Sequence, residues 1–218
     1  MKVRYPPTTR EEHPLSVVVM HWVHVVSVAV LVTTGVYIHQ PYHSGAMGTN
    51  RMIHFTFMWV FLCNAAVRVY WACLGGGRTA PLGSRRTARD CRWFTMPIKA
   101  HKIWETLKYY LFLRRTHPTV LKYNPLQAMT YVFYLFMIAF MGLTGLFMWT
   151  PTRFFFEPLT YFLGGLAVIH FLHYMGMWIF LVTIAVHIYA ILLEVIREIP
   201  LMFWWQESAG KESRDEGR

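Results

Sequence analysis

His173 and His187 stand fourteen residues apart in one long apolar stretch of a 218-residue chain. Fourteen residues of α-helix turn through about 1400°, which returns to within about 40° of the start, and rise about 21 Å. Both imidazoles therefore leave one helix face, near opposite sides of a hydrocarbon layer about 30 Å thick. Other apolar stretches carry His21 and His54 at matching depths. Haem iron takes an axial imidazole from each side, so four such residues at two depths point to two stacked haems. The chemistry would be one-electron transfer across a membrane. A lone buried histidine reads more simply as packing, but four at consistent depths are hard to explain that way.

The elements that must position these residues follow from composition. Hydrophobic residues make up 55% of the chain, and charged residues only 15%, which argues against an ordinary soluble domain. The net charge of +10 does not imply nucleic acid, because Lys and Arg cluster between apolar runs and no nucleic-acid motif accompanies them. Cys63, Cys73 and Cys91 form neither C-x-x-C nor C-x-x-C-H, which excludes thioether-attached haem and an iron–sulfur ligand set. Runs long enough to span a bilayer occur at Val17–Ile38, Ile53–Leu74, Gln127–Trp149 and Ile169–Ile196. The expected fold is an all-α, integral membrane four-helix bundle. No short cleavable segment precedes the first run, so the N-terminus is expected to be retained.

Charge sets the expected topology. Arg51 is the only Lys or Arg between the first two spans and Arg153 the only one between the last two, whereas the segment from Gly75 to Pro125 carries eleven. The positive-inside rule then places both termini and the long loop between helices 2 and 3 in the cytoplasm. Within that loop, Pro97–Arg115 alternates apolar and basic residues at near-helical period, as a helix lying on anionic lipid would. A docking surface for a cytoplasmic partner is the sharper alternative. The stretch Phe154–Val168, interrupted by Pro158 and Gly164–Gly165, reads as a short interfacial helix leading into the fourth span.

With that topology, depth pairs His21 with His187 on the cytoplasmic side and His54 with His173 on the outer side. His54 is expected to open the second helix. His24 and His170, one turn from His21 and His173, are the competing ligands by depth. They read better as packing beside a porphyrin or bonding a propionate. His39, His43, His101 and His117 read as solvated or interfacial. The fourteen-residue step from His21 reaches Gly35, where a missing side chain lets a macrocycle approach the backbone. The step from His54 reaches Arg68, a charge deep enough in a span to need a partner. A haem propionate and the lipid headgroups are the two candidates for it. Gly142, Gly145 and Gly176 read as close-packing positions.

At these residues the chain resembles the b-type cytochrome subunit of membrane-bound nickel–iron hydrogenases, from His13 to about Ile199. MHWVHVVSVAVLVTTG is similar to that family's H-W…T-G signature, and HFLHYMGMWIFLVTIAVH to its second signature. RMIHFTFMWVFLCNAAVRVYW carries histidine and arginine in the family positions, and LKYYLFLRR and YNPLQA occur in the middle loop. The resemblance implies a di-haem cytochrome b domain over residues 1–199 and a polar cytoplasmic tail over 200–218. It implies two haem b groups with His21, His54, His173 and His187 as iron ligands. The implied partners are nickel–iron hydrogenase small and large subunits at the outer face of the bacterial inner membrane. Menaquinone or ubiquinone is the implied electron acceptor. The related γ subunit of formate dehydrogenase shares the plan, and its loop pattern matches Tyr123, Asn124 and Gln127. This makes Asn124 the candidate quinone contact and Gln127 a second. Asn124 and Pro125 also suit a helix start as cap and first-turn residue. One departure is Val18, where hydrogenase cytochromes usually carry Arg; this puts a first-helix propionate contact in doubt. The alternatives are a cytochrome serving formate dehydrogenase, thiosulfate reductase or another reductase, and a haem-free anchor or transporter.

Overall fold

Long runs of Val, Leu, Phe and Met offer the backbone no polar side-chain partners, and hydrocarbon offers no water. A helix, which satisfies its own N–H and C=O groups, is then the stable form despite the many β-branched residues. A computed structural model describes residues 15–75, 100–113, 125–194 and 199–204. Its helices are α1 (Leu15–His39), α2 (Met47–Tyr70), α3 (Ala100–Tyr110), α4 (Pro125–Met148), α5 (Thr150–Phe162), α6 (Leu166–Glu194) and α7 (Ile199–Trp204). A π-helical turn, Trp71–Gly75, continues α2. No strand occurs among the described residues. Among the described residues, four segments are long and apolar enough to cross a membrane: Leu15–His39, Met47–Cys73, Met129–Met148 and Leu166–Leu192.

The spanning helices pack as two pairs, α1 with α2 and α4 with α6, which meet along α2 and α4. At one end of the bundle, the hairpin end, α1 turns into α2 and α4 passes through α5 into α6. At the other, the terminal end, α1 begins and α6 finishes. Helices approach closely, between the pairs and within one, where side chains are absent. A Cβ on Gly142 would lie 2.7 Å from Leu62 Cδ2, and one on Gly176 would lie 2.6 Å from Met141 Sδ. The most deeply buried large side chains, Tyr37, Phe147 and Ile169, all lie at the hairpin end. Phe136, Val182, Val186 and Leu192 face outward and are exposed, as a lipid-facing surface requires.

Two expectations are corrected. Helix α2 begins at Met47 rather than near Ile53, so His54 sits two turns inside it and does not open it. Gly48, Thr49, Asn50 and Arg51 show no apolar period, yet the Asn50 side chain donates to Ala46 O at 2.9 Å and helps to close the first turn. Pro158 does not interrupt its helix but lies inside α5. The break falls at Gly164 and Gly165, with φ of +99° and +89°, a left-handed region open to glycine. The expected amphipathic loop segment contains α3. Trp104 is exposed on it, with Lys108 Nζ 5.4 Å above its ring, while Thr106 and Tyr110 are buried. The helix stops in a Schellman-type turn, with Phe112 at φ +58° and Leu113 N–H donating to Lys108 O at 2.8 Å.

Candidate functional site

Helix α2 starts early enough to carry His54 inward, and α6 presents His173 at the same level. Their ring centroids are 6.4 Å apart, with the planes inclined by 66°. A metal–imidazole bond of about 2 Å plus about 1.1 Å from nitrogen to ring centre, taken twice, gives roughly 6 Å. The measured separation is therefore the one that two axial imidazoles of a single iron would have. Among the described residues no three His, Cys, Asp or Glu side chains converge as a bare metal ion would need. A haem iron needs only two.

Each of these histidines meets a threonine hydroxyl from a neighbouring helix, and His54 also bonds the Leu31 backbone of α1. Thr34 Oγ1 on α1 lies 2.9 Å from His54 Nδ1, and Thr144 Oγ1 on α4 lies 2.8 Å from His173 Nδ1. Each hydroxyl also donates to the carbonyl four residues back, to Val30 O at 2.7 Å and to Phe140 O at 2.8 Å. The glycine after each threonine lies against the same ring. A Cβ on Gly35 would come within 3.3 Å of His54 Cε1, and one on Gly145 within 3.7 Å of His173 Cε1. At Gly35, where the sequence suggested room for a macrocycle, the group brought close is the His54 ring. The two threonines were missed in the sequence, where the signal was the Thr-Gly pair occurring in both the first and third spans.

The terminal end is built differently. His21 meets Trp22 edge-on at 5.8 Å, and His187 meets Tyr134 edge-on at 6.3 Å. Tyr134 OH donates to Thr183 O at 2.9 Å, which ties α4 to α6 beside His187. On the α1–α2 side, His24 Nδ1 lies 2.9 Å from Met20 O and 2.6 Å from Asn64 Nδ2, and Asn64 also donates to Met20 O at 2.8 Å. His24 Nε2, Ser27 Oγ and Arg68 Nη1 are buried without a hydrogen-bond partner. Buried polar groups are almost always satisfied, so these three atoms mark a region suited to a polar ligand group such as a propionate. The His54 and His173 pair at the hairpin end fits haem.

The remaining sequence candidates separate as follows. His170 faces outward with Nδ1 2.9 Å from Leu166 O, a contact within its own helix. His39 stacks on Tyr174 at 3.9 Å, bridging α1 and α6, and His43 packs on Tyr37, whose hydroxyl donates to His43 O at 2.7 Å. Both remain exposed, as the solvated or interfacial reading expects, and each also rests on a tyrosine at the hairpin end. Gln127 lies in the first turn of α4, with a side chain outside the described set. Asn124, His101 and His117 likewise offer no described side chain.

Comparison with known proteins places the chain in a family. The model of the prokaryotic cytochrome b561 family matches residues 12–205. The chain is 30% identical over 200 residues to the probable Ni/Fe-hydrogenase B-type cytochrome subunit of Cupriavidus necator, covering 81% of this chain and 76% of that one. It is 29% identical over 196 residues to the probable Ni/Fe-hydrogenase 1 B-type cytochrome subunit of Escherichia coli K12, covering 82% and 80%. The Azotobacter vinelandii protein of the former name is 28% identical over 186 residues, covering 78% and 74%. With four spanning helices and a family match over almost its whole length, the chain belongs to the prokaryotic cytochrome b561 family, as a multi-pass membrane cytochrome of b type.

Proposed function

We propose that this cytochrome holds two haem b groups and passes electrons from a nickel–iron hydrogenase on the outer face of the bacterial inner membrane to menaquinone or ubiquinone. The observation that carries the reading is the His54–His173 pair, 6.4 Å apart, with a threonine hydroxyl on each Nδ1. The names of the similar proteins support the partner, since each is called a Ni/Fe-hydrogenase cytochrome subunit. The eleven basic residues from Gly75 to Pro125 support a cytoplasmic terminal end and an outer hairpin end.

In this reading His54 and His173 hold the outer haem, and His21 and His187 hold the inner one. Bound haem supplies reversible one-electron redox chemistry, and the chain supplies ligation, low dielectric and orientation. Arg68, with its Nη1 buried and unpartnered, faces an inner-haem propionate. Asn124, with Gln127 close by in sequence, donates an amide hydrogen bond to a quinone carbonyl at the cytoplasmic end of α4. Residues 1–199 make up this di-haem domain, followed by a tail over 200–218.

The test is spectroscopic. In membranes that contain the chain and its hydrogenase, hydrogen gas should produce the reduced b-type bands, and a menaquinone analogue should reoxidise them. Reduction by formate but not by hydrogen would replace the hydrogenase with another dehydrogenase. Absence of b-type bands would leave a haem-free anchor.

A further inference from the structure

The two histidines at the hairpin end are held by one device used twice. In the first helix pair a Thr-Gly near the C-terminal end of α1 meets a histidine near the start of α2. In the second pair a Thr-Gly near the C-terminal end of α4 meets a histidine near the start of α6. The threonine reaches Nδ1 at 2.9 Å and 2.8 Å, and the glycine brings its backbone against the same ring. A hydroxyl has one proton. In both helices it is within reach of the carbonyl four residues back, at 2.7 Å and 2.8 Å, the usual choice for a threonine inside a helix. With that proton committed, the lone pairs face the imidazole, and the bond at Nδ1 closes only if the ring supplies the hydrogen.

We infer that Thr34 and Thr144 are paired positioning residues of the hairpin-end haem: each accepts Nδ1–H, directs Nε2 to the iron and lowers its reduction potential. An imidazole whose second nitrogen donates a hydrogen bond is a stronger electron donor. A stronger donor favours the ferric over the ferrous state. Because the device is duplicated, the two hydroxyls act on the two faces of one iron, and their effects should multiply. Thr34 and Thr144 are both buried, so water does not replace a lost hydroxyl. No Thr-Gly pair occurs at the His21 and His187 level, so the terminal-end haem lies outside the effect. The inference rests on the proposed di-haem reading.

The test uses the full chain in membranes, with Thr34→Val and Thr144→Val, which keep shape and remove the hydroxyl, and Thr34→Ser and Thr144→Ser, which restore it. Haem per chain, potentiometric titration and the low-spin electron paramagnetic resonance signal are read together. Each Val variant should keep both haems and shift the ferric-to-ferrous ratio of one haem about three- to tenfold toward ferrous, tenfold being about 59 mV for one electron. The double Val variant should show the product of the two shifts, each Ser variant should titrate as wild type, and the other haem should not move. Full haem content with unchanged potentials in the Val variants would overturn the inference and leave the di-haem reading intact. Haem loss in both the Val and the Ser variant at one position would also overturn it, because the hydroxyl would then not be the active group. If wild type binds only one haem, the di-haem reading fails. If that haem survives His54→Ala, the inference fails with it.

Discussion

The hairpin end and the terminal end carry the same number of candidate ligands but are prepared for them in different ways. At the hairpin end His54 and His173 stand 6.4 Å apart, each fixed through Nδ1 by a threonine on a third or fourth helix. Tyr37, Phe147 and Ile169 are almost wholly buried there. At the terminal end His187 is exposed and meets Tyr134, His21 meets Trp22, and three polar atoms around α1 and α2 are buried without partners. Each such atom costs about 1–3 kcal/mol until a partner arrives. The difference teaches where the chain preorganises a site by itself and where it relies on the ligand to complete the packing. Haem at the hairpin end should be held by a rigid frame. Haem at the terminal end should contribute more of the local stability.

The largest expected effect that would sharpen this contrast is His187→Ala. It should halve the haem content, leave the hairpin-end spectrum intact and lower the thermal midpoint more than loss of the hairpin-end haem does. His24→Ala should leave the haem content unchanged, and a loss there would move the inner ligand from His21 to His24. Next is Gly145→Leu, whose side chain must pass Met58 Sδ, 3.4 Å from the ideal Cβ, and His173 Cε1 at 3.7 Å. It should remove the hairpin-end haem alone, whereas Gly48→Leu, which opens onto free space, should keep both. If the two glycine variants behave alike, the close approach does not matter.

Smaller effects fall at the terminal end. Asn124→Ala should keep both haems and slow their reoxidation by a menaquinone analogue about ten- to a hundredfold, the loss of one hydrogen bond worth about 1–3 kcal/mol. Unchanged reoxidation with impaired folding would reduce Asn124 to a helix cap. Trp22→Phe should cost least. It removes the bond from Trp22 Nε1 to Met202 O at 2.7 Å but keeps the packing on Phe203. A loss of about 1 kcal/mol in unfolding free energy is expected, with no change in potential at the hairpin end.

The same contrast explains what was legible in the chain. Histidines in apolar helices are rare and costly, so His21, His54, His173 and His187 stood out, and helical period alone led from His21 to Gly35. The hydrophobic spans were readable to within a few residues because bilayer thickness fixes their length. Thr34 and Thr144 were not readable, because a threonine in a membrane helix usually bonds its own i−4 carbonyl and gives no sign of a second partner. The first turns of α2 were missed since Gly48 to Arg51 are polar, and hydropathy reports only the buried part of a helix that projects beyond the bilayer. Pro158 misled because it lies inside α5 despite the hydrogen bond it removes; Gly164 and Gly165, with positive φ, carry the turn.

The central claim is that His54 and His173 hold one and the same haem while a separate pair holds the other. Haem per chain in His54→Ala, in His173→Ala and in the double variant tests it most directly. The expected count is two for wild type and one for each single variant, with the double variant also at one because both changes empty the same site. A double variant with no haem would mean that His54 and His173 serve different irons, and the pairing drawn from their 6.4 Å separation would be wrong.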